Sequence, residues 1–95
     1  MRISDEMKNY FDEEVGNIEP NAKVYLFGSR VYDDQKGGDI DIVMLADRRL
    51  QFEELSRLRI RFWKKFGEQK LDIVTYTHKD KDPFKDLIME HAIEL

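Results

Sequence analysis

The sequence predicts an α+β domain in which helices pack on one face of a small mixed β-sheet. Two observations support this prediction. Apolar residues recur at helical spacing in three segments, and three short runs rich in strand-forming residues lie between them. The predicted order is helix, strand, strand, helix, strand, helix. The 95 residues suit a single core, so we expect one domain over residues 1–95.

The first helix is predicted to begin at Ser4 or Asp5, because either side chain can accept a hydrogen bond from a free N–H group at a helix start. Gly16 fits the position just after the last turn, so we expect the helix to end there. Pro20 then marks a turn. The apolar residues that recur at helical spacing are Met7, Tyr10, Phe11 and Val15.

Three apolar runs predict the strands, and they read KVYLFGS at 23–29, DIDIVML at 39–45 and KLDIVTYT at 70–77. The polar stretch from 30 to 38, which ends in two glycines, predicts a loop. A second helix is predicted from about Arg49 to Phe66, with Gly67 after it. Asp82 and Pro83 predict the start of a last helix that continues to Leu95.

Composition limits where the chain functions and what it binds. There is no cysteine, which excludes disulfides and thiolate metal sites and favours a reducing compartment, so the cytoplasm is the expected location. No apolar stretch approaches the roughly 18 residues that span a bilayer, and no membrane partner is expected. The net charge of −4 argues against direct binding of nucleic acid through bulk charge.

Basic residues are nevertheless concentrated in one part of the chain. Between residues 57 and 70 they outnumber the single acid, Glu68, and they predict a positive face. Two interpretations remain open, a solvated helix face and a surface for a partner or RNA. The basic residues of this segment are Arg57, Arg59, Arg61, Lys64, Lys65 and Lys70.

Two acids interrupt the second predicted strand. Residues two apart in a strand point to the same face, so Asp39 and Asp41 project together while Ile40 projects to the other side. Neighbouring carboxylates repel each other and are tolerated when a cation lies between them, and hard oxygen ligands suit Mg²⁺. Asp72 interrupts the third strand in the same way and completes a candidate metal site. The alternative is a solvent-facing strand edge.

The Gly28-Ser29 turn is the second half of the candidate site. Glycine allows a ligand to approach the backbone closely, and successive N–H groups at such a turn attract phosphate oxygens. Ser29 also fits a helix cap. Arg30 fits either of two roles, a bidentate contact to phosphate or a pair with a neighbouring carboxylate. Metal-binding acids beside a phosphate-binding turn are typical of nucleotidyl transfer.

The spacing of these residues resembles a known signature. Phe27-Gly28-Ser29, a gap of nine residues and then Asp39-Ile40-Asp41-Ile42 is similar to the motif of the DNA polymerase beta-type nucleotidyltransferase superfamily. The chain most resembles the minimal nucleotidyltransferases, because Asp72 and the last helix also fall where that branch has its third acid and its terminal helix. The resemblance covers nearly the whole chain and implies a polymerase beta-like nucleotidyltransferase fold.

The resemblance also implies a function. Asp39 and Asp41 would bind two Mg²⁺ ions, Asp72 would bind one of them and help to deprotonate the attacking hydroxyl, and Gly28 and Ser29 would hold the triphosphate of ATP. Minimal nucleotidyltransferases commonly act as antitoxins that transfer AMP to a tyrosine of a HEPN-domain ribonuclease toxin. The resemblance therefore implies an AMP-transferring antitoxin with such a toxin as its partner.

Two other functions remain open at this point. The first is a non-catalytic antitoxin that neutralises its toxin by stoichiometric contact, although the intact acids Asp39, Asp41 and Asp72 favour the enzyme. The second is a transferase that acts on RNA or a small molecule. It is the less favoured function, because 95 residues leave no obvious second domain to hold such an acceptor.

Overall fold

The structure is a computed structural model, and it describes residues 3–31 and 39–95, apart from the Ser29 side chain. Four strands form one sheet in the order β3-β2-β1-β4. β2 and β3 run parallel, and β1 is antiparallel to both of its neighbours, so the predicted α+β mixed sheet is confirmed. In chain order the elements are α1 (Asp5–Ile18), β1 (Lys23–Phe27), a 3-10 helix (Gly28–Val31), β2 (Ile40–Ala46), α2 (Phe52–Phe66), β3 (Leu71–Thr77), α3 (Pro83–Met89) and β4 (Ile93–Glu94).

The main core lies between one face of the sheet and the helices α1 and α2. Alternate residues of β2 face this layer, and all of them are fully buried. Phe11 of α1 stacks on Phe62 of α2, with their ring centroids 5.4 Å apart. Tyr10 donates a hydrogen bond of 2.7 Å to the carbonyl oxygen of Leu58, which joins the two helices. The sheet residues at the centre of this layer are Leu26, Ile40, Ile42 and Met44.

The opposite face of the sheet carries a second, smaller apolar cluster. Val43, Leu45 and Tyr76 pack there with Ile88 of α3. The prediction that the helices share one face therefore holds for α1 and α2 and needs correction for α3. The physical reason is that β2 is apolar on both faces, so the second face also needs a cover. By strand alternation, Asp41 and Asp72 lie on the face that α3 covers in part.

Two predicted helix ends differ from the structure. Ser4 caps α1 by accepting a hydrogen bond of 3.1 Å from the Met7 N–H, as predicted. The helix continues past Gly16 to Ile18, because Ile18 packs against the core and the Glu19 N–H still reaches the Val15 carbonyl at 2.9 Å. Packing of the last turn therefore outweighs the low helix propensity of glycine.

The second helix starts three residues later than predicted, at Phe52. The Glu54 carboxylate accepts a hydrogen bond of 2.8 Å from the Gln51 N–H, which is one half of a capping box. It also accepts two hydrogen bonds from Arg48, at 2.8 and 2.9 Å. Arg48 and the Gln51 N–H together lower the pKa of Glu54 to about 2. Residues 48–51 therefore form an ordered segment that precedes and caps α2, and they are not its first turn.

The last predicted helix also ends early. Asp82 accepts a hydrogen bond of 2.8 Å from the Phe84 N–H and caps α3 as predicted, but the helix stops at Met89. The chain then pairs with β1 as β4, and the Leu95 N–H donates to the Val24 carbonyl at 3.0 Å. The apolar residues after Met89 continue the helical pattern without a residue that would end the helix. The hydrogen bonds that β4 forms with the open edge of β1 nevertheless favour a strand there.

Lys85 anchors α3 to the end of β3. Its side chain is nearly buried, and Nζ donates to the carbonyl oxygens of Thr77, His78 and Asp80, each at 3.1 Å. Replacing Lys85 with methionine is expected to lower the free energy of unfolding by about 1–3 kcal/mol, because three carbonyl groups lose a charged donor. Urea denaturation measures this, with Lys81→Met, at an exposed lysine, as the control. Equal losses in both variants would contradict the anchoring role.

Candidate active site

Asp41 and Asp72 meet at one end of the sheet. They are direct partners in the parallel pairing of β2 with β3, so their side chains leave the same face side by side. After burial, the charge of Asp72 is the largest of the causes that raise the pKa of Asp41, so the two carboxyl groups lie close enough to interact. The structure therefore brings together two of the three predicted acids, because strand pairing places them in register.

Asp39 lies just before β2 and has a different partner. Its Oδ2 atom is 3.1 Å from the Nζ atom of Lys70, the residue that precedes β3. The Asp39 side chain is 40% exposed and the Lys70 side chain 68% exposed. Asp39 is still near enough to influence the titration of Asp41. The third acid thus belongs to the same end of the sheet but is ion-paired.

The carboxylates disfavour one another. Desolvation comes first among the causes that raise the pKa of Asp41 to about 6, followed by the charges of Asp72 and Asp39. The charge of Lys70 acts in the opposite direction. A cation at this end of the sheet would offset both the burial and the repulsion.

Gly28 follows the end of β1 and lies beside Asp41 of the neighbouring strand β2. Its φ of 75° lies in the left-handed region of backbone conformation, which residues with a Cβ atom rarely adopt. A Cβ atom at this position would collide with Oδ2 of Asp41. The preceding residue, Phe27, is the antiparallel partner of Asp41, which explains the close approach. Glycine therefore keeps the backbone of the turn directly against the Asp41 carboxylate.

The rest of the predicted phosphate-binding turn is described in part. The backbone of Ser29 belongs to the 3-10 helix, whereas its side chain lies outside the described part of the chain. Arg30 is half-buried in the same short helix. The remaining loop residues, 32–38, lie outside the described ranges.

Comparison with known proteins identifies the family. The model of the nucleotidyltransferase domain family matches residues 4–95. The chain belongs to this family. Among curated proteins, none matches it significantly.

Solved structures with the same fold come from a toxin–antitoxin complex, MntA–HpeT. A chain of a mutant with alanine in place of a tyrosine matches 93% of this nucleotidyltransferase and 70% of its own length, with a TM-score of 0.72 and 20% identity. A chain of a mutant with two aspartates replaced by glutamate matches 92% and 70%, with a TM-score of 0.71 and 17% identity. At this identity the likeness establishes the fold. Within the described residues of the nucleotidyltransferase, no helix is both long and apolar enough to cross a bilayer.

The donor atoms suit a divalent metal ion. Asp41 and Asp72 present carboxylate oxygens on one face, and oxygen is the ligand that Mg²⁺ prefers. Across residues 3–31 and 39–95, no three histidine, aspartate or glutamate side chains stand together as a complete metal-binding group. Asp39, the predicted third acid, is paired with Lys70. The carboxylates of Asp41 and Asp72 therefore suit a divalent metal ion, whereas Asp39 is ion-paired.

The raised pKa of Asp41 predicts how stability depends on pH without divalent metal. The folded pKa of about 6 lies above the ordinary value of 3.8, so the folded state binds this proton more tightly than the unfolded state does. The contribution of Asp41 to stability is then lost as the pH rises from 4 to 6. Compared with Asp41→Asn, the wild type is expected to lose about 1 kcal/mol over this range, after allowance for solvent screening.

Urea denaturation in EDTA between pH 4 and 7 measures that difference. The slope should come from Asp41, whose pKa is raised by burial and by the charges of Asp72 and Asp39 and is lowered by the charge of Lys70. Asp12→Asn, at an exposed position of α1, provides the control for loss of a carboxylate. If the curves of wild type and Asp41→Asn run parallel, the electrostatic description of the site is wrong.

The basic residues between 57 and 70 have different surroundings in the structure. Arg59 donates to the Leu71 carbonyl at 3.2 Å, and Arg61 pairs with Glu14 at 3.1 Å, so these two side chains hold α2 to its neighbours. Lys64 remains exposed on α2. Sequence reasoning counted Lys70 only as part of this segment and missed its contact with Asp39. Its position two residues before Asp72 was the available signal.

Proposed function

We propose that this nucleotidyltransferase is an antitoxin that transfers AMP from ATP to a tyrosine hydroxyl of a HEPN-domain ribonuclease toxin and thereby neutralises it. The observation that carries the proposal is the in-register pair of Asp41 and Asp72 beside the Gly28 turn. Paired carboxylates at a strand end, facing a backbone that a ligand can approach closely, suit the binding of a metal-chelated triphosphate.

Each residue of the site has a role in this proposal. Asp39, Asp41 and Asp72 would hold two Mg²⁺ ions, which would supply charge stabilisation to the phosphates during transfer. The backbone at Gly28 and Ser29 would hold the triphosphate, and Arg30 would contact its oxygens. Roles for Ser29 and Arg30 rest on the motif resemblance.

The chemical step is a substitution at the α-phosphorus of ATP. The acceptor oxygen forms a bond to that phosphorus, the bond to the oxygen that bridges the α- and β-phosphates breaks, and pyrophosphate leaves. Asp72 accepts the proton of the acceptor hydroxyl. The register pairing of Asp72 with Asp41 supports this role, because it places a carboxylate directly beside the acid that would hold the metal-bound phosphates.

A toxin as the partner is supported by the solved structures of the same fold. Both compared chains come from MntA–HpeT toxin–antitoxin complexes, and they match over at least 92% of this chain. The nature of the acceptor, a tyrosine of a HEPN toxin, is supported by the resemblance of the motif to minimal nucleotidyltransferases.

A non-catalytic antitoxin is the second candidate, and one observation favours it. Phe84 and Leu87 lie one turn apart on α3 and are 53% and 64% exposed, which gives the chain an apolar surface for a partner. Contact through such a surface could mask a toxin without any transfer.

One experiment separates the two functions. The protein is incubated with labelled ATP, Mg²⁺ and its cognate HEPN-domain toxin, and the label on that toxin and its toxicity are measured. The enzyme predicts label transfer that the double variant Asp39→Asn, Asp41→Asn abolishes together with neutralisation. Label transfer by the double variant would refute the catalytic proposal, and neutralisation without any transfer would establish the binding function.

A further inference from the structure

Lys70 brings a positive charge into the candidate metal site. It lies immediately before β3 and two residues before Asp72, and its Nζ atom is 3.1 Å from Oδ2 of Asp39. Asp72 in turn is the register partner of Asp41, so the ammonium group lies at the same end of the sheet as all three acids.

The sheet itself holds Lys70 at this position. The N–H group of Ile40 donates to the carbonyl oxygen of Lys70 at 3.2 Å, and Ile40 is the pairing partner of Leu71. The residues before β2 and before β3 are therefore side by side. An ammonium group on Lys70 meets a carboxylate on Asp39 as a consequence of strand pairing.

The pair contributes little to the stability of the fold. Both side chains are substantially exposed, and water screens exposed ion pairs of this kind. Its main consequence is electrostatic, because a cation already lies where the acids would bind a divalent ion. The ammonium group and a metal ion would therefore compete for the negative charge of the same carboxylate, and they would repel each other across it.

We propose that Lys70 is an internal counter-cation of the carboxylate cluster, and that a divalent metal ion displaces it from Asp39 on binding. Metal binding is then an exchange of cations and not a simple addition. Lys70 consequently weakens the affinity of the site for metal, and it offsets part of the negative charge of the carboxylates when no metal is bound. The inference rests on the proposed function, which assigns Asp39, Asp41 and Asp72 as the metal-binding acids.

The test is a titration with Mn²⁺ alone, without nucleotide, followed by calorimetry or by the electron paramagnetic resonance of free Mn²⁺. Lys70→Met is expected to bind Mn²⁺ about threefold more tightly than the wild type or better, because a nearby positive charge is removed. The control is Lys64→Met, which removes an exposed lysine of α2 on the other side of the sheet and should leave the affinity unchanged.

A second readout uses thermal unfolding. Added Mn²⁺ should raise the melting temperature of Lys70→Met more than that of the wild type, since tighter binding to the folded state stabilises it more. Unchanged or weaker Mn²⁺ binding by Lys70→Met would overturn the inference. Weaker nucleotide binding with unchanged Mn²⁺ affinity would instead make Lys70 a phosphate ligand, and it would overturn the inference too.

The double variant Asp39→Asn, Asp41→Asn distinguishes this failure from failure of the metal site itself. Suppose that the double variant loses Mn²⁺ binding but Lys70→Met binds Mn²⁺ no more tightly than the wild type. The metal site is then supported, and only the proposed role of Lys70 is refuted. Equal Mn²⁺ binding by wild type and double variant would remove the metal site and the role of Lys70 together.

Discussion

Replacing Asp41 with asparagine is expected to reduce nucleotidyl transfer by about 10²- to 10³-fold or more, the usual cost of removing one group that stabilises charge in a transition state. Asp41 is the acid that joins both halves of the site, because it is the register partner of Asp72 and lies directly against Gly28. Initial rates of AMP transfer at saturating ATP measure the effect. Asp72→Asn should cause a loss of the same order.

The stability of these variants separates a catalytic effect from misfolding. Asp41 is a repelled, partly desolvated carboxylate, so Asp41→Asn should be at least as stable as the wild type at pH 7 without metal. Asp12→Asn serves as the matched control, and both its rate and its stability should stay near wild type. An Asp41→Asn variant that keeps full activity would contradict the assignment of Asp41.

Replacing Gly28 with alanine is expected to remove activity and to lower the free energy of unfolding by about 2 kcal/mol or more. The new Cβ atom would occupy a backbone conformation with φ of 75°, which costs about 1–2 kcal/mol by itself. It would also collide with Oδ2 of Asp41 and displace that carboxylate. Urea denaturation and the rate of AMP transfer measure the two effects.

Two further variants make this prediction specific. At Gly16, inside α1, an added Cβ atom meets nothing within 4 Å, so Gly16→Ala should stabilise the protein by about 0.5–1 kcal/mol. A cycle of Gly28→Ala with Asp41→Ala should be non-additive, because removal of the carboxylate relieves the collision. Additive losses at positions 28 and 41 would show that the two residues are not in contact.

Much of the architecture could be predicted from local patterns. The alternation of DIDIVML and KLDIVTYT identified two strands, and the caps Ser4 and Asp82 gave two helix starts that the structure confirms. The helix ends at Ile18 and Met89 could not be predicted in this way. They depend on packing of Ile18 and on the pairing of β4 with β1, which are contacts between distant parts of the chain.

The candidate site shows the same division. Strand alternation placed Asp39 and Asp41 on one face, but it could not establish that Asp72 is the register partner of Asp41. Register depends on how two whole strands align with each other, so it cannot be inferred from the sequence of one strand alone. The contact of Lys70 with Asp39 follows from the same alignment, which explains why the lysine was missed.

The most direct test of the central claim is the position of a bound metal ion. Crystals of the wild-type protein with Mn²⁺ and a non-hydrolysable ATP analogue would give an anomalous difference map that locates the manganese. Our account predicts a peak in contact with the carboxylate oxygens of Asp41 and Asp72, with the triphosphate reaching the backbone at Gly28. Nucleotide bound in full with no manganese at these two carboxylates, or with manganese bound elsewhere, would contradict it.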